Sequence, residues 1–235
     1  MRKRYLVAVL ILVHAFSGWV LAQETYGFEI GGYAGPTFWK ERQFQVNAPQ
    51  AIPPVNLGFQ YGNRTNYGVR FNLLSRDYWG GELDYSFQRN TVTLSRQSFT
   101  PVALDGNVQH FFYNTVFYPF RYSEGHISPF VTAGIGLAAY KPSDEARARA
   151  ADPKIYGIGT LSDLDKRFAF NYGGGVKAIV APHFGVRLDF RHSFSDVPSY
   201  GLPKESTNRT QVVLPIHGKL QNYEVSIGLY YQVLK

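Results

Sequence analysis

The chain has 235 residues, enough for one domain with a sizeable core, and no cysteine, which excludes a disulfide framework, a thiolate metal site and a cysteine nucleophile. The formal net charge is +7, but without Arg2, Lys3 and Arg4 the remainder carries 21 basic against 17 acidic residues, or +4. That mild excess, with no basic run interleaved with aromatics, gives no nucleic-acid signature, and no nucleic-acid partner is expected.

Residues 1–22 read as a secretory signal peptide. Arg2-Lys3-Arg4 is a basic start, residues 5–13 are an apolar run, and Val20-Leu21-Ala22 places modest or small residues before an expected cleavage after Ala22. His14, Ser17 and Gly18 interrupt the apolar run, which argues against an uncleaved membrane helix. The mature domain is then 23–235. No later stretch approaches the ~18 apolar residues of a membrane helix. The mature chain is therefore either soluble or meets lipid as a closed barrel, since only helices and closed barrels satisfy every backbone group in hydrocarbon.

Period-two alternation runs through the mature chain, and eight strands are expected. The first, 26–39, sets Phe28, Ile30, Gly32 and Ala34 against Glu29, Gly31, Tyr33 and Gly35. The second, 66–74, sets Tyr67, Val69, Phe71 and Leu73 against Gly68, Arg70 and Asn72. The third starts near Gly80, with Leu83, Tyr85 and Phe87 against Glu82, Asp84, Ser86 and Gln88; Val92 and Leu94 extend it. The fourth, 108–120, sets Phe111, Tyr113 and Phe117 against His110, Phe112 and Asn114. The fifth, 128–140, sets Val131, Ala133, Ile135 and Leu137 against Thr132, Gly134, Gly136 and Ala138. The sixth, 167–180, sets Phe168, Phe170, Tyr172 and Val176 against Ala169, Asn171, Gly173, Gly175 and Lys177. The seventh, 184–194, sets Val186, Leu188, Phe190, His192 and Phe194 against Arg187, Asp189 and Arg191. The last, 220–234, sets Tyr223, Val225, Ile227, Leu229, Tyr231 and Val233 against Glu224, Ser226, Gly228, Tyr230 and Gln232. Helical periodicity is confined to the polar stretch 143–151. Segments such as 44–46 or 211–214 would make ten strands if they paired.

The links alternate in length. Those at 75–79, 121–127 and 181–183 are short; those at 40–65, 98–107, 141–166 and 195–219 are mostly long. An outer-membrane barrel has short periplasmic turns and long extracellular loops. Aromatics gather near strand ends, at Phe38-Trp39, Tyr78-Trp79, Phe117-Tyr118, Phe120, Tyr122, Phe184 and Tyr231, as expected of two girdles at the headgroup level. Together these favour an all-β, eight-stranded, antiparallel, up-and-down transmembrane barrel with its apolar faces outward, over a soluble barrel holding an apolar ligand inside.

Outward apolar faces put Glu29, Arg70, Glu82, Asp84, Lys177, Arg187, Asp189, Arg191 and Glu224 in the lumen. Four cations and five anions in a narrow interior read as a neutralising network that fills it; the other reading is the charged gate of a pore. Catalysis finds little support. His192 shares its strand face with Phe194, not with Ser193 or Ser195, and His126 with Ser128 falls at a short turn. His110, His126, His183 and His217 are dispersed, with no metal-ligand spacing, and no cofactor is expected. Gly173-Gly174-Gly175 is followed by no helix, so it is not a phosphate loop. The long loops are the natural surface for an extracellular partner, notably Pro49, Pro53 and Pro54 in the first and Asp144, Glu145, Arg147 and Arg149 in the third.

Within the last strands, Pro129-Phe130-Val131-Thr132-Ala133-Gly134-Ile135-Gly136, Tyr172-Gly173-Gly174-Gly175-Val176 and Val186-Arg187-Leu188-Asp189-Phe190-Arg191 occur in that order. They resemble the corresponding strands of the outer-membrane β-barrel domain family, which includes the OmpA transmembrane domain, OmpX and porin-like proteins. The motifs cover the C-terminal half. Ser226, Gly228, Tyr231 and Val233 are similar to the C-terminal signal read by the barrel-assembly machinery, except that this chain ends Val233-Leu234-Lys235 where the family commonly ends on Phe. The resemblance implies residence in the bacterial outer membrane, with its lipids and the assembly machinery as partners. Three roles are open: a structural or surface-interaction barrel with a largely plugged lumen, a small porin for ions or solutes, or a membrane-embedded lipid-modifying enzyme.

Overall fold

The computed structural model describes residues 25–40, 42–46, 55–75, 78–96, 102–120, 126–152, 160–202 and 218–233. The expected signal peptide, the proline-rich segment 49–54, Tyr122 and the segment 211–214 lie outside them. In chain order the elements are β1 (Thr25–Trp39), β2 (Arg42–Val46), β3 (Val55–Tyr61), β4 (Thr65–Ser75), β5 (Trp79–Arg96), β6 (Val102–Phe117) and β7 (Ile127–Pro142). The helix α1 (Asp144–Ala151) follows, then β8 (Asp165–Ala181), β9 (Phe184–Asp196) and β10 (Lys219–Gln232).

Among the described residues one sheet runs β2-β3-β5-β4-β1-β10-β9-β8-β7-β6, and β6 pairs back onto β5. Every neighbouring pair is antiparallel. Eight strands therefore close a barrel, with β1 and β10 joined at the seam. The hairpin β2–β3 is appended to the upper part of β5, where Leu57 opposes Arg96 and Tyr61 opposes Val92. Closure leaves no unpaired backbone row on the eight-strand wall, the condition for sitting in hydrocarbon.

Alternation puts Tyr67, Phe111, Val131, Leu188, Ile227 and Leu229 outside, each 51–67% exposed. The lumen-facing positions between them are buried and mostly polar. A soluble barrel with its apolar faces inward is thereby overturned. Close approach inside needs glycine at two places. Gly68 lies opposite Tyr33 and Gly185 opposite Tyr230 on neighbouring strands. At each glycine a Cβ would overlap the tyrosine ring.

Four expectations need correction. The link after β5 spans only 97–101, because β6 starts at Val102 and pairs with Leu94. β6 correspondingly ends at Phe117, not 120. The first long loop contains β2 and β3, so 44–46 does pair, outside the closed wall. Trp39 and Tyr118 face inward, 7% and 1% exposed, and do not belong to the outer girdles. The inward turn of Trp39 follows from parity: on β1 it shares a face with Glu29, Tyr33 and Thr37, all buried.

Candidate functional site

The lumen is the candidate site, and its middle is a ring of ion pairs. On β4 and β5, Arg70 Nε donates to Asp84 Oδ2 at 2.6 Å, and Asp84 also accepts from the Tyr33 hydroxyl at 2.9 Å. Arg70 Nη1 crosses to Asp189 Oδ2 on β9 at 2.7 Å. Asp189 is clasped by Arg187 through both carboxylate oxygens, each at 2.9 Å. Arg187 Nη1 returns to Glu82 Oε2 on β5 at 2.6 Å, and Arg191 Nη2 donates to Glu82 Oε1 at 2.6 Å. Arg191 Nη1 lies 3.7 Å from Asp84 Oδ2 and closes the circuit. Three guanidinium groups thus alternate with three carboxylates, all nearly solvent-free.

In the closed order β9 stands four strands from β5 by either route, so these bonds span the barrel's diameter. Room for them comes from the β7–β8 wall, which shows Gly134, Gly136, Gly173 and Gly175 to the lumen; Arg187 lies 4.3 Å above the Phe130 ring beside them. Arg70 stacks 3.6 Å over the Tyr33 ring.

Below the ring, Lys177 Nζ on β8 donates to Glu29 Oε2 on β1 at 2.5 Å and to the Tyr118 hydroxyl at 2.9 Å. Leu74, Val116, Tyr118 and Phe130 form a small apolar cluster at this periplasmic end. Glu224, the fifth acid, stands apart. Asn66 Nδ2 donates to its Oε2 at 2.5 Å, while its Oε1 is 3.6 Å from Arg70 and makes no hydrogen bond among the described residues. All nine sequence-chosen charges therefore lie in the lumen: six in the ring, Lys177 and Glu29 as a separate pair, and Glu224 at the edge.

Above the ring the chemistry changes. Trp39, Tyr61 and Tyr140 pack as tilted rings across the barrel, with centroids 4.7 and 5.8 Å apart. Val92, Leu104, Val108, Ala138, Leu161, Val197 and Leu220 pack around them. The helix α1 is started by Ser143, whose Oγ accepts from Ala146 N at 3.1 Å, and it buries Ala146 and Ala150 in the same cluster. Asp144 in its exposed first turn is held below the usual carboxylate range by the hydrogen bond and charge of Arg147.

Tyr200 completes this cap from the fourth loop. Its hydroxyl is 2.6 Å from that of Tyr61, and Asp165 Oδ2 accepts from the backbone N–H groups of Ser199 and Tyr200 at 2.7 and 2.8 Å. These bonds hold Tyr200 at a positive φ of 51°, a conformation unfavourable for a large side chain. Burial pushes its hydroxyl pKa up, so it stays protonated and able to donate.

Sequence reading missed the cap. Its one visible signal was the apolar residues Val92 and Val108 on lumen-facing parity at the ends of expected strands, with Leu104 beyond them. Between ring and cap lies a polar cavity of about 20 Å³ lined by Asn171, Arg191, Asn222 and Glu224, among others. Neither side-chain polar atom of Asn171 has a partner among the described residues, which suits one or two waters.

The remaining candidates do not assemble a catalytic group. His192 lies on the outer wall, while Ser193 and Ser195 point inward, where Ser195 Oγ bonds the Tyr140 hydroxyl. His126 is exposed at the foot of β7 and Ser128 is buried. Among the described residues no cluster of His, Asp or Glu is arranged to hold a metal ion. At the C-terminal signal, Ser226 and Gly228 face the lumen and Tyr231 and Val233 face out.

A family model described as outer membrane protein beta-barrel domain matches residues 7–233. Among solved structures the chain is similar to the outer membrane protein OprG from Pseudomonas aeruginosa, at 12% identity and TM-score 0.54, covering 91% of this chain and 99% of that one. Neisserial surface protein A matches at 11% identity and TM-score 0.54, covering 89% and 99%. The outer membrane protein AlkL, solved in lipid bilayers, matches at 13% identity and TM-score 0.50, covering 91% and 93%. These identities carry the fold alone. No curated protein matches. With the closed eight-strand wall, its apolar exterior and a family match over nearly its whole length, the chain belongs to the outer membrane protein beta-barrel domain family and resides in the bacterial outer membrane.

Proposed function

We propose that this protein is an integral outer-membrane barrel with a closed lumen that serves as a stable platform for its extracellular loops and the β2–β3 hairpin. The reading rests on one observation above others: the Glu82–Arg187 and Glu82–Arg191 bonds cross the full diameter of the barrel. A passing ion would have to part charge pairs held in a medium of low dielectric, where removing one partner costs ~3–5 kcal/mol. The aromatic cap is a second barrier in series, and the cavities flanking the ring hold about 10 and 20 Å³, room for single waters but not for a conducting file.

The test is planar-bilayer recording of the purified protein. No stable single-channel steps are expected from the wild type, and E82A/R187A/R191A combined with W39A is expected to produce them. Steady steps from the wild type would sink this reading in favour of the small porin. The surface role is tested separately, by whether cells lacking the protein lose a measurable attachment or binding property that returns with the loop-bearing wild type and not with a loop-shortened variant. A lipid-modifying enzyme remains the least supported role, because His192 and His126 each stand apart from the neighbouring serines.

A further inference from the structure

The fourth loop enters the barrel mouth on a strained turn. Leu202 N donates to Ser199 O at 2.9 Å, and both residues between them have positive φ, 51° at Tyr200 and 81° at Gly201. A turn of this hand favours glycine, asparagine or aspartate at its two central positions. Gly201 suits it. Tyr200 does not, and it is the one non-glycine residue at positive φ among the described residues. Such strain persists only where the surroundings impose it, and it gathers at clamps and switches.

The surroundings that impose it here centre on one carboxylate oxygen. Asp165, the first residue of β8, accepts at Oδ2 from Ser199 N at 2.7 Å, Tyr200 N at 2.8 Å and Arg167 Nη2 at 2.7 Å. Arg167 Nη2 also donates to Ser199 Oγ at 2.8 Å. One further bond, Ser162 N to Tyr200 O at 2.7 Å, ties the turn to the third loop. Hydrogen bonds to an ionised acceptor are the strong ones, so Asp165 is the group that keeps the strained form in place.

The Tyr200 side chain closes a small pocket that is ready for water. Its hydroxyl meets that of Tyr61 at 2.6 Å, and Asn90, Val92, Leu104 and Val108 line a space of about 10 Å³ beside it. Asn90 Nδ2 has no partner among the described residues. Water entering here finds the Tyr61 hydroxyl and the Asn90 amide. The core below offers it nothing comparable: Ala138, two positions beneath Tyr140 on the same face of β7, is fully buried.

We propose that residues 197–202 form a lid over the barrel mouth, with Tyr200 as its stopper and Asp165 as its catch. When the catch releases, Tyr200 relaxes to negative φ, its side chain leaves the mouth, and the pocket at Tyr61 opens to the medium. The ring of ion pairs stays closed in both states. The lid therefore governs access to the mouth and not passage through the membrane, and it stands independently of the platform reading.

The chain has no cysteine, so single introduced cysteines report opening by their rate of reaction with a membrane-impermeant maleimide. Val92→Cys lies under the stopper, Ala138→Cys lies deeper in the cap, and Arg89→Cys lies on the exposed outer face. Each is placed in the wild-type background, in Asp165→Asn and in Tyr200→Gly, and checked first for the folded, heat-modifiable form on a gel. Asp165→Asn keeps the shape of the catch without its charge; Tyr200→Gly keeps the turn and removes the stopper. Labelling of Val92→Cys is expected to be about tenfold faster in both backgrounds, the factor that loss of one charged hydrogen bond supplies, with Arg89→Cys fast and Ala138→Cys slow throughout. Unchanged labelling of Val92→Cys in folded Asp165→Asn would overturn the lid. So would an equal acceleration at Ala138→Cys, which would make Asp165 a general prop of the cap and not a catch.

Discussion

The middle of the lumen and its mouth are closed by opposite chemistries, and β5 runs through both. At membrane depth β5 shows Glu82, Asp84, Ser86 and Gln88 to the lumen and Leu83 and Tyr85 to the outside. A few residues higher the faces exchange character: Val92 is inside, while Arg89 is exposed outside. β6 does the same in reverse, from Leu104 and Val108 inside to Asn114 inside. Lipid demands an apolar exterior, so within the membrane the interior takes the polar groups and must pair them. Above the membrane the exterior is wet, and the interior becomes an ordinary apolar core. The membrane boundary is thus written along single strands as an inversion of the two faces.

The two closures should fail differently. Replacing Glu82 with Ala leaves Arg187 and Arg191 with Asp189 as the carboxylate they share, and a loss of ~3–5 kcal/mol is expected as a lower urea midpoint of the folded form in detergent. If the arginines simply recruit water and stability barely moves, the ring is not a tight, dry closure. In the cap the currency is volume: Leu104→Ala should cost ~2–5 kcal/mol by leaving a cavity, read by the same unfolding curve.

Smaller changes sharpen the contrast. Tyr61→Phe removes only the hydroxyl that meets Tyr200, and ~1 kcal/mol is expected, seen as faster proteolysis at 196–202 with the barrel intact. At the mildest end, Ser143→Ala should weaken α1 by ~0.5–1 kcal/mol, measured as faster amide exchange at Ala146 with no change in the ring.

Strand order, the inward and outward faces of the eight wall strands apart from Trp39 and Tyr118, and the lumen position of the nine charges were legible because parity alone decides facing. Which charges meet was not. Arg187 stands opposite Lys177 on β8 and Gly228 on β10, and it reaches Glu82 across the lumen, a choice set by closure and not by spacing along the chain. The start of β6 was misplaced because residues 102–107 alternate in the inverted sense, and an expectation built on outward apolar faces reads such a stretch as loop. Tyr200 was invisible for a different reason: it sits in a loop, at a backbone angle that tyrosine rarely adopts, and only its bonds to Tyr61 and Asp165 give it a place in the lumen.

The cross-lumen bonds also bear on how the barrel is made. Arg70 reaches from β4 over β1 and β10 to Asp189 on β9, and Lys177 reaches from β8 to Glu29 on β1. Both span the seam where the first and last wall strands meet. While the sheet is still open these groups are far apart and hydrated; once the edges join, each finds its partner as water leaves. The interior charges therefore act as a latch that engages only on completion. Zipping the seam open again would have to expose four ions at once, so unlatching should be steep and all-or-none, with no population of half-open barrels.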